Sequence, residues 1–367
     1  MEHATLHRQT ARMPFNSDLL PLALSDFQVL TGNAQHLESV AAHFPPQGFD
    51  TVVTSPPYWQ RRDYGHPDQL GQEKTPVQFV ETLADTVASW GQWLAPHGSI
   101  FVNLADTYAD GFLVGIPIFF ELAMRERGWR VAHRVVWSKP SSVPTPSPQR
   151  LASRHETVLQ LVPPRCPGAP AYYFDRFALT SRLPAAEIGD VWHVAPSRGS
   201  SGHIAPFPLE LVRRILLLAC PERVCESCGH PHRRLIGPSV TLDSTRPQAR
   251  RAMQLFAEKN LTDDHLAAIR AVGISDVGMG KRLQTGAGRN APRVQQLADE
   301  AKAALGGYFR EFTFAPKQQL GWEACACQAP TRPGWVLDPF AGSNTALAAA
   351  QELGFRAVGV DLTPLPF

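Results

Sequence analysis

Residues 51–59 read T-V-V-T-S-P-P-Y-W, and few stretches restrict a chain so sharply. Thr51, Val52 and Val53 are β-branched and favour a short buried strand. Pro56 and Pro57 have no N–H to give and hold their backbone extended, so the strand stops and no helix takes over. The carbonyls of Ser55 and Pro56 are then free to point into a cleft, beside a hydroxyl and the aromatic face of Tyr58. That set suits a flat ring carrying an exocyclic amino group, whose hydrogens need acceptors and whose ring needs a stacking partner. A strand closed by a proline turn, with a surface aromatic after it, accounts for the same residues.

The flanking sequence alternates between strand and helix patterns. Strands are expected at 27–30, 49–54, 99–103, 129–137 and 155–162. A helix opening at Thr75-Pro76 carries Phe79, Val80, Leu83, Val87, Trp90 and Leu94 at helical spacing, and Pro96-His97-Gly98 ends it. A second helix at 116–127 stops at Gly128, and a third is expected at 207–219. After Cys228 the composition shifts to Arg, Gln and Gly, with helical patches at 248–272 and 292–305, which reads as an insertion. The sheet pattern returns at 335–337, a helix at 346–353 and a strand at 356–360. Strands alternating with helices predict an α/β fold around a largely parallel sheet. The expected organisation is an N-terminal extension (1–26), a first half of the main domain (27–223), a cysteine-clipped insertion (224–330) and a second half (331–367).

Bulk properties narrow the function classes. A chain of 367 residues, 44% hydrophobic and 19% charged, can bury a large core. A net charge of +2 neither demands nor excludes a nucleic-acid partner, so any DNA footprint has to be a local basic patch. No apolar run reaches membrane-spanning length and no signal-peptide core opens the chain, which leads us to expect no membrane association and a cytoplasmic setting. Of the six cysteines, Cys225 and Cys228 form one tight pair and Cys325 and Cys327 another. That spacing fits metal ligation in a reducing compartment better than a disulfide framework.

A second constellation lies near the C-terminus. Residues 335–345 read W-V-L-D-P-F-A-G-S-N-T, a hydrophobic strand running into an acid, a glycine turn and a helix N-terminus, and a further strand ends at Gly359-Val360-Asp361. This is the layout of an adenosine-binding α/β unit, in which Gly342 allows close approach and Asp361 can accept both ribose hydroxyls. The phosphate-binding G-x-G-x-x-G is missing, which argues against a dinucleotide and fits a cofactor without phosphates. An α/β turn whose aspartate caps a helix reads equally from these residues.

Together the two stretches resemble the amino-methylating (N4-cytosine or N6-adenine) DNA methyltransferases, in the permuted beta-class subgroup where the catalytic S-P-P-Y motif precedes the cofactor motif. The resemblance covers most of 27–220 and 330–361. It implies a Rossmann-like S-adenosylmethionine-dependent fold with permuted motif order and an inserted zinc-containing helical region. Ser55, Pro56, Pro57 and Tyr58 would be catalytic, in the serine form associated with the N4 amino group of cytosine; N6-adenine is the alternative target. Asn33, Thr54, Asp338, Pro339, Phe340, Gly342, Ser343, Asn344, Thr345 and Asp361 would hold the cofactor, with Ser201, His203 and Pro206 near its methionine end. The family usually has glycine where Asn344 stands and aspartate where Asn33 stands. Asparagine tolerates a left-handed backbone, so Asn344 is compatible with the turn, whereas Asn33 alters one polar contact to the cofactor. These two departures would also suit a non-catalytic zinc-containing DNA-binding protein on the same fold.

The residues imply direct methyl transfer. Hydrogen bonds accepted from the amino group by the Ser55 hydroxyl and the Pro56 carbonyl favour a pyramidal nitrogen with an available lone pair, and Tyr58 stacks on the flipped base. No cysteine stands in a Pro-Cys context suited to attack on a cytosine ring, and Cys166 reads as structural. C-x-x-C-G at Cys225 and Cys228 resembles half of a zinc knuckle that Cys325 and Cys327 would complete. Double-stranded DNA is the expected partner, contacted by Arg61, Arg198, Lys281, Arg282 and Arg289, with a cognate restriction endonuclease as a possible second partner and a bacterial or phage origin.

Overall fold

The computed structural model describes residues 26–141, 148–164, 172–183, 188–197, 207–239, 242–273 and 291–365. Two compact units divide the chain: one joins the segments before Arg234 and after Glu323, and the other is Arg234–Glu323.

The first unit is built on an eight-stranded sheet. Its strands are β1 (Phe27–Thr31), β2 (Phe49–Thr54), β3 (Leu94–Leu104), β4 (Arg130–Ser138), β5 (His155–Val162), β6 (Val191–His193), β7 (Trp335–Asp338) and β8 (Arg356–Asp361). They lie in the order β1-β8-β7-β2-β3-β5-β4-β6. The pairs from β1 through to β3 are all parallel. Strand β5 alone is reversed, antiparallel to both β3 and β4, while β6 runs parallel to β4.

Both faces of the sheet are covered, so its strands are apolar on both sides rather than alternating. Val52, Ile100, Val102, Leu337 and Val358 face one core together with helices α1 (Pro76–Ser89) and α2 (Ile116–Glu126). Val53, Phe101, Val336 and Ala357 face the other, with α3 (Leu209–Ala219) and α4 (Thr345–Leu353). Neighbouring strand residues thus fall into opposite cores, which is the strand period of two. Gly359 sits where a Cβ would come within 2.9 Å of Ala341 and 3.0 Å of Leu347, so its bare backbone lets α4 lie close on the sheet.

Two boundaries differ from expectation. The helix expected to reach Leu94 ends at Ser89, passes through a 3-10 turn at Trp90–Trp93, and β3 already begins at Leu94. The apolar period runs on because Trp90 is fully buried outside the α-helix, its indole donating to the Ala34 carbonyl at 2.8 Å. The helical patch at 248–272 is two helices, Pro247–Glu258 and Asp263–Val272. Asn260 takes a left-handed φ of 49° between them, and Thr262 with His265 forms a capping box that restarts the coil.

The second unit holds these two helices and Pro292–Leu305 around Leu266, Ile269, Leu305 and Phe312, with a two-stranded sheet of Arg233–Pro238 and Lys317–Glu323. Among the described residues, no helix is long and apolar enough to cross a membrane.

Candidate active site

The sheet order brings the two sequence motifs together. Strands β2 and β7 are parallel neighbours, with β8 continuing to one side of β7 and β3 to the other side of β2. The chain therefore diverges between β7 and β2, and the crevice outside their carboxyl ends is where open α/β sheets bind ligands. Thr54 and Asp338, 284 residues apart, meet there: the Thr54 hydroxyl donates to Asp338 Oδ1 at 2.6 Å.

On the β7–β8 side the geometry is that of a turn closing over an acid. Asp338 is buried and also accepts from the Phe340 N–H at 3.1 Å. Desolvation, offset in part by those two donors, pushes its carboxyl up to about 7. Pro339 is buried, and the Phe340 ring packs edge-on to Trp90 at 5.9 Å. Gly342 and Ser343 are exposed, Gly342 at φ 49°, and the Ser343 hydroxyl lies 3.1 Å from that of Thr345. Asn344 adopts φ 61° as the residue preceding α4, so the asparagine fills the left-handed position without breaking the turn. Asp361 Oδ2 accepts from the Gly342 N–H at 2.9 Å and Oδ1 from Thr363 at 3.0 Å. One bond to each oxygen leaves lone pairs on both for ribose hydroxyls. Asn33 stands beside this edge, two residues beyond the Thr31–Asp361 register pair, with its own Oδ1 taken by the Gln35 N–H at 2.9 Å. The donor set is compatible with an adenosine moiety: an acid with acceptor capacity left on both oxygens beside an exposed glycine turn.

Asp338 yields a pH prediction. Its folded-state pKa stands above the ordinary 3.8, so between those values the native protein keeps a proton that the unfolded chain has released. Stability therefore falls as pH rises through this interval and stays lower above about 7. Asp338→Asn keeps an acceptor for Thr54 and Phe340 and removes the buried charge. Calorimetry is expected to show a higher Tm than wild type at pH 8, with the difference vanishing near pH 4.

The β2 side carries a hydrogen-bonded cluster. Ser55 Oγ lies 3.1 Å from Tyr58 Oη, and Tyr58 donates to Glu156 Oε2 at 2.6 Å. Asn103 Nδ2 reaches Tyr58 Oη at 2.8 Å, Glu156 Oε2 at 2.6 Å and, more weakly, Ser55 Oγ at 3.4 Å. Lys139 pairs with Glu156 Oε1. Burial first, then the Glu156 carboxylate, holds the Tyr58 phenol well above its ordinary value, so it stays a donor. Pro56 is buried and Pro57 half-buried, and no hydrogen bond to the Pro56 carbonyl is found among the described residues. Trp59 belongs to the core, its indole donating to the Glu73 carbonyl at 2.8 Å. Asn103, Lys139 and Glu156 escaped the sequence reading, because their convergence needs β5 reversed between β3 and β4. The reversal sets Glu156 against Trp137 and Thr157 against Leu104, so the start of β5 meets the ends of β3 and β4.

The cysteine set also assembles, within the first unit. Sγ atoms of Cys225, Cys228, Cys325 and Cys327 all lie within 4.8 Å of one another. A tetrahedral Zn–S shell at ~2.3 Å needs sulfurs about 3.8 Å apart, so a small contraction suffices. Gly229 turns at φ 70°, and Val224–Cys225 pairs antiparallel with Thr331–Arg332. The Cys228 and Ser227 peptide N–H groups lower Cys225 to about 7, while the thiols of Cys228 and Cys325 push Cys327 up to about 12. Four thiolates at this spacing would require a cation to offset their charge. His232 Nε2 lies 3.9 Å from Cys325 Sγ.

Arg61 is exposed in the loop after Tyr58. Ser201, His203, Pro206, Arg198, Lys281, Arg282, Arg289 and Cys166 lie outside the described residues.

A family model described as a DNA methylase, of the N6/N4 type, matches residues 49–224. Over those residues the chain carries a DNA methylase domain of the N6/N4 type. The methylase is 28% identical over 229 residues to the Type II methyltransferase M.Cfr9I of Citrobacter freundii, covering 54% of this chain and 74% of that one. It is 29% identical over 227 residues to M.XycI of Xanthomonas campestris pv. cyanopsidis, covering 53% and 72%. Among solved structures, PvuII DNA methyltransferase (cytosine-N4-specific) superimposes over 92% of this chain and 84% of that one, at 14% identity and a TM-score of 0.49.

Proposed function

We propose that this methylase is a Type II DNA methyltransferase that transfers a methyl group from S-adenosylmethionine to the N4 amino group of a cytosine flipped out of the duplex. The observation that carries the reading is the Ser55–Tyr58–Glu156 hydrogen-bond chain. Tyr58 spends its hydrogen on Glu156, so the Ser55 hydroxyl donates into Tyr58 and turns its remaining lone pair outward. A target amino group with two N–H donors fits that acceptor and the Pro56 carbonyl. The half-buried Tyr58 ring offers the stacking face.

S-adenosylmethionine, held by Asp361 and the turn from Asp338 to Thr345, supplies an already activated methyl group. The chain's own residues then position and orient. Ser55 and Pro56 draw the amino hydrogens out of the ring plane and free the nitrogen lone pair, and Tyr58 and Pro57 fix the ring. Asn33, Ser201, His203 and Pro206 complete the cofactor pocket in this reading, while Arg61, Arg198, Lys281, Arg282 and Arg289 contact duplex DNA. A Type II enzyme of this kind is expected to protect the sites of a cognate restriction endonuclease. Incubation with mixed-sequence duplex DNA and S-adenosylmethionine, then digestion to nucleosides and mass spectrometry, is expected to yield N4-methylcytosine. N6-methyladenine instead would establish the adenine alternative, and no methylated base would leave a binding module.

Cys225, Cys228, Cys325 and Cys327 are proposed to hold one structural zinc that closes the loop carrying the second unit. One zinc per chain is expected by atomic absorption, lost in Cys228→Ser with a fall in Tm. A chain that folds with full stability in strong chelator would contradict this.

A further inference from the structure

The Ser55–Tyr58–Glu156 series does more than orient a hydroxyl. Resting on the amino-transfer reading above, we propose that Glu156 is the acceptor of the proton that the target nitrogen must shed, reached through the Ser55 and Tyr58 hydroxyls.

An exocyclic amino group that gains a methyl carries one hydrogen too many. The nitrogen lone pair forms the new N–C bond, the donor sulfur keeps the electrons of the broken S–C bond, and one N–H proton has to leave. With the amino group seated on Ser55 as proposed, its first neighbour is Ser55 Oγ. The Ser55 hydrogen can pass 3.1 Å to Tyr58 Oη, and the Tyr58 hydrogen 2.6 Å to Glu156 Oε2. Each hydroxyl gives one proton and takes one, so both end neutral, and the single net change is a carboxylate becoming a carboxylic acid. The high phenol pKa of Tyr58 is no obstacle, because no tyrosinate forms.

The surroundings of Glu156 suit this role. It is 7% exposed, yet its negative charge is held by Lys139 at the end of β4 and by the Asn103 amide from β3. Tyr58, from the loop after β2, donates to it and is itself in contact with Ser55, and the Tyr64 phenol lies in the field of Tyr58. A nearby ammonium does not prevent proton uptake, since an N-methylated amino cation is far more acidic than a carboxylic acid. Asn103 holds Tyr58 Oη and Glu156 together from one nitrogen, which makes it a positioning residue.

The test measures single-turnover methyl transfer against pH, with cofactor affinity by calorimetry. A relay that ends on a carboxylate predicts a wild-type rate that falls in acid. Glu156→Gln is expected to be slower by about 100-fold, without that acidic limb and with unchanged affinity for S-adenosylmethionine. Tyr58→Phe keeps the ring, breaks the relay and should lose a similar factor, and the double variant should be no slower than either single one. Glu156→Asp should recover part of the rate. Wild-type rate and acidic limb in Glu156→Gln, or multiplying losses in the double variant, would overturn the proposal and leave the amino-transfer reading standing. A wild-type protein that methylates no DNA base would overturn that reading itself.

Discussion

Ser55→Ala is expected to slow single-turnover methyl transfer by about 100- to 1,000-fold, the range seen when one preorganised hydrogen-bonding group is removed from a reacting centre. Alanine removes the acceptor for the amino hydrogen and breaks the first link to Tyr58. The 3.1 Å and 3.4 Å contacts to Tyr58 and Asn103 are the side chain's bonds within the cluster, and Tyr58 keeps its bonds to Glu156 and Asn103 without them. Stability should therefore change by no more than about 0.5 kcal/mol. Cofactor affinity should be unchanged, since the adenosine side is proposed to be built by β7, β8 and their turn. Rapid-quench transfer of a labelled methyl group, with a melting curve on the same sample, separates these effects. A variant that is slow because it is unfolded would fail the second measurement.

The largest expected loss of stability lies away from the chemistry. Asp50 is fully buried and accepts from His97 at 2.7 Å, from Arg332 at 3.0 Å and from the Trp335 N–H at 2.7 Å. Burial works against its ionisation, but the His97 hydrogen bond, the Arg332 charge and the Trp335 N–H outweigh that and hold its pKa below the ordinary carboxylate value. Asp50→Ala strands the Arg332 guanidinium, itself 7% exposed, and is expected to cost about 3–5 kcal/mol. Arg332 belongs to the strand paired with Cys225, so the variant should also weaken retention of the zinc proposed for the cysteine clip. Because the folded pKa is depressed, this contribution is complete above the ordinary carboxylate range and is lost as pH falls through the folded value. Urea titrations at pH 7 and in acid check both: the gap between wild type and variant should be wide at neutrality and narrow in acid.

How far the sequence could be read follows from what each signal encodes. Residues 51–59 and 335–345 are local, each a strand running into a turn whose chemistry is set by its own prolines, glycine and asparagine, and both were legible. The four cysteines were legible as a cluster for a different reason: two tight pairs of a single soft-ligand residue type flank the insertion. What stayed hidden is the polar network behind Ser55. Asn103 and Glu156 sit in strands that are otherwise buried and apolar, and the pattern of such strands says nothing about direction. Only the reversed β5 brings Glu156 to the edge where β2 and β3 end. Helix ends were lost similarly, since buried residues at Trp90 and Leu94 continued a helical period after the helix had stopped.

The central claim is that this edge of the sheet delivers a methyl group to the amino nitrogen of cytosine. The most direct measurement uses duplex DNA labelled with nitrogen-15 at cytosine N4 and S-adenosylmethionine carrying a carbon-13 methyl group. A one-bond carbon–nitrogen coupling in the product nucleoside is the predicted result, absent with Ser55→Ala. A labelled methyl group without that coupling, on adenine or on cytosine carbon, would contradict the account.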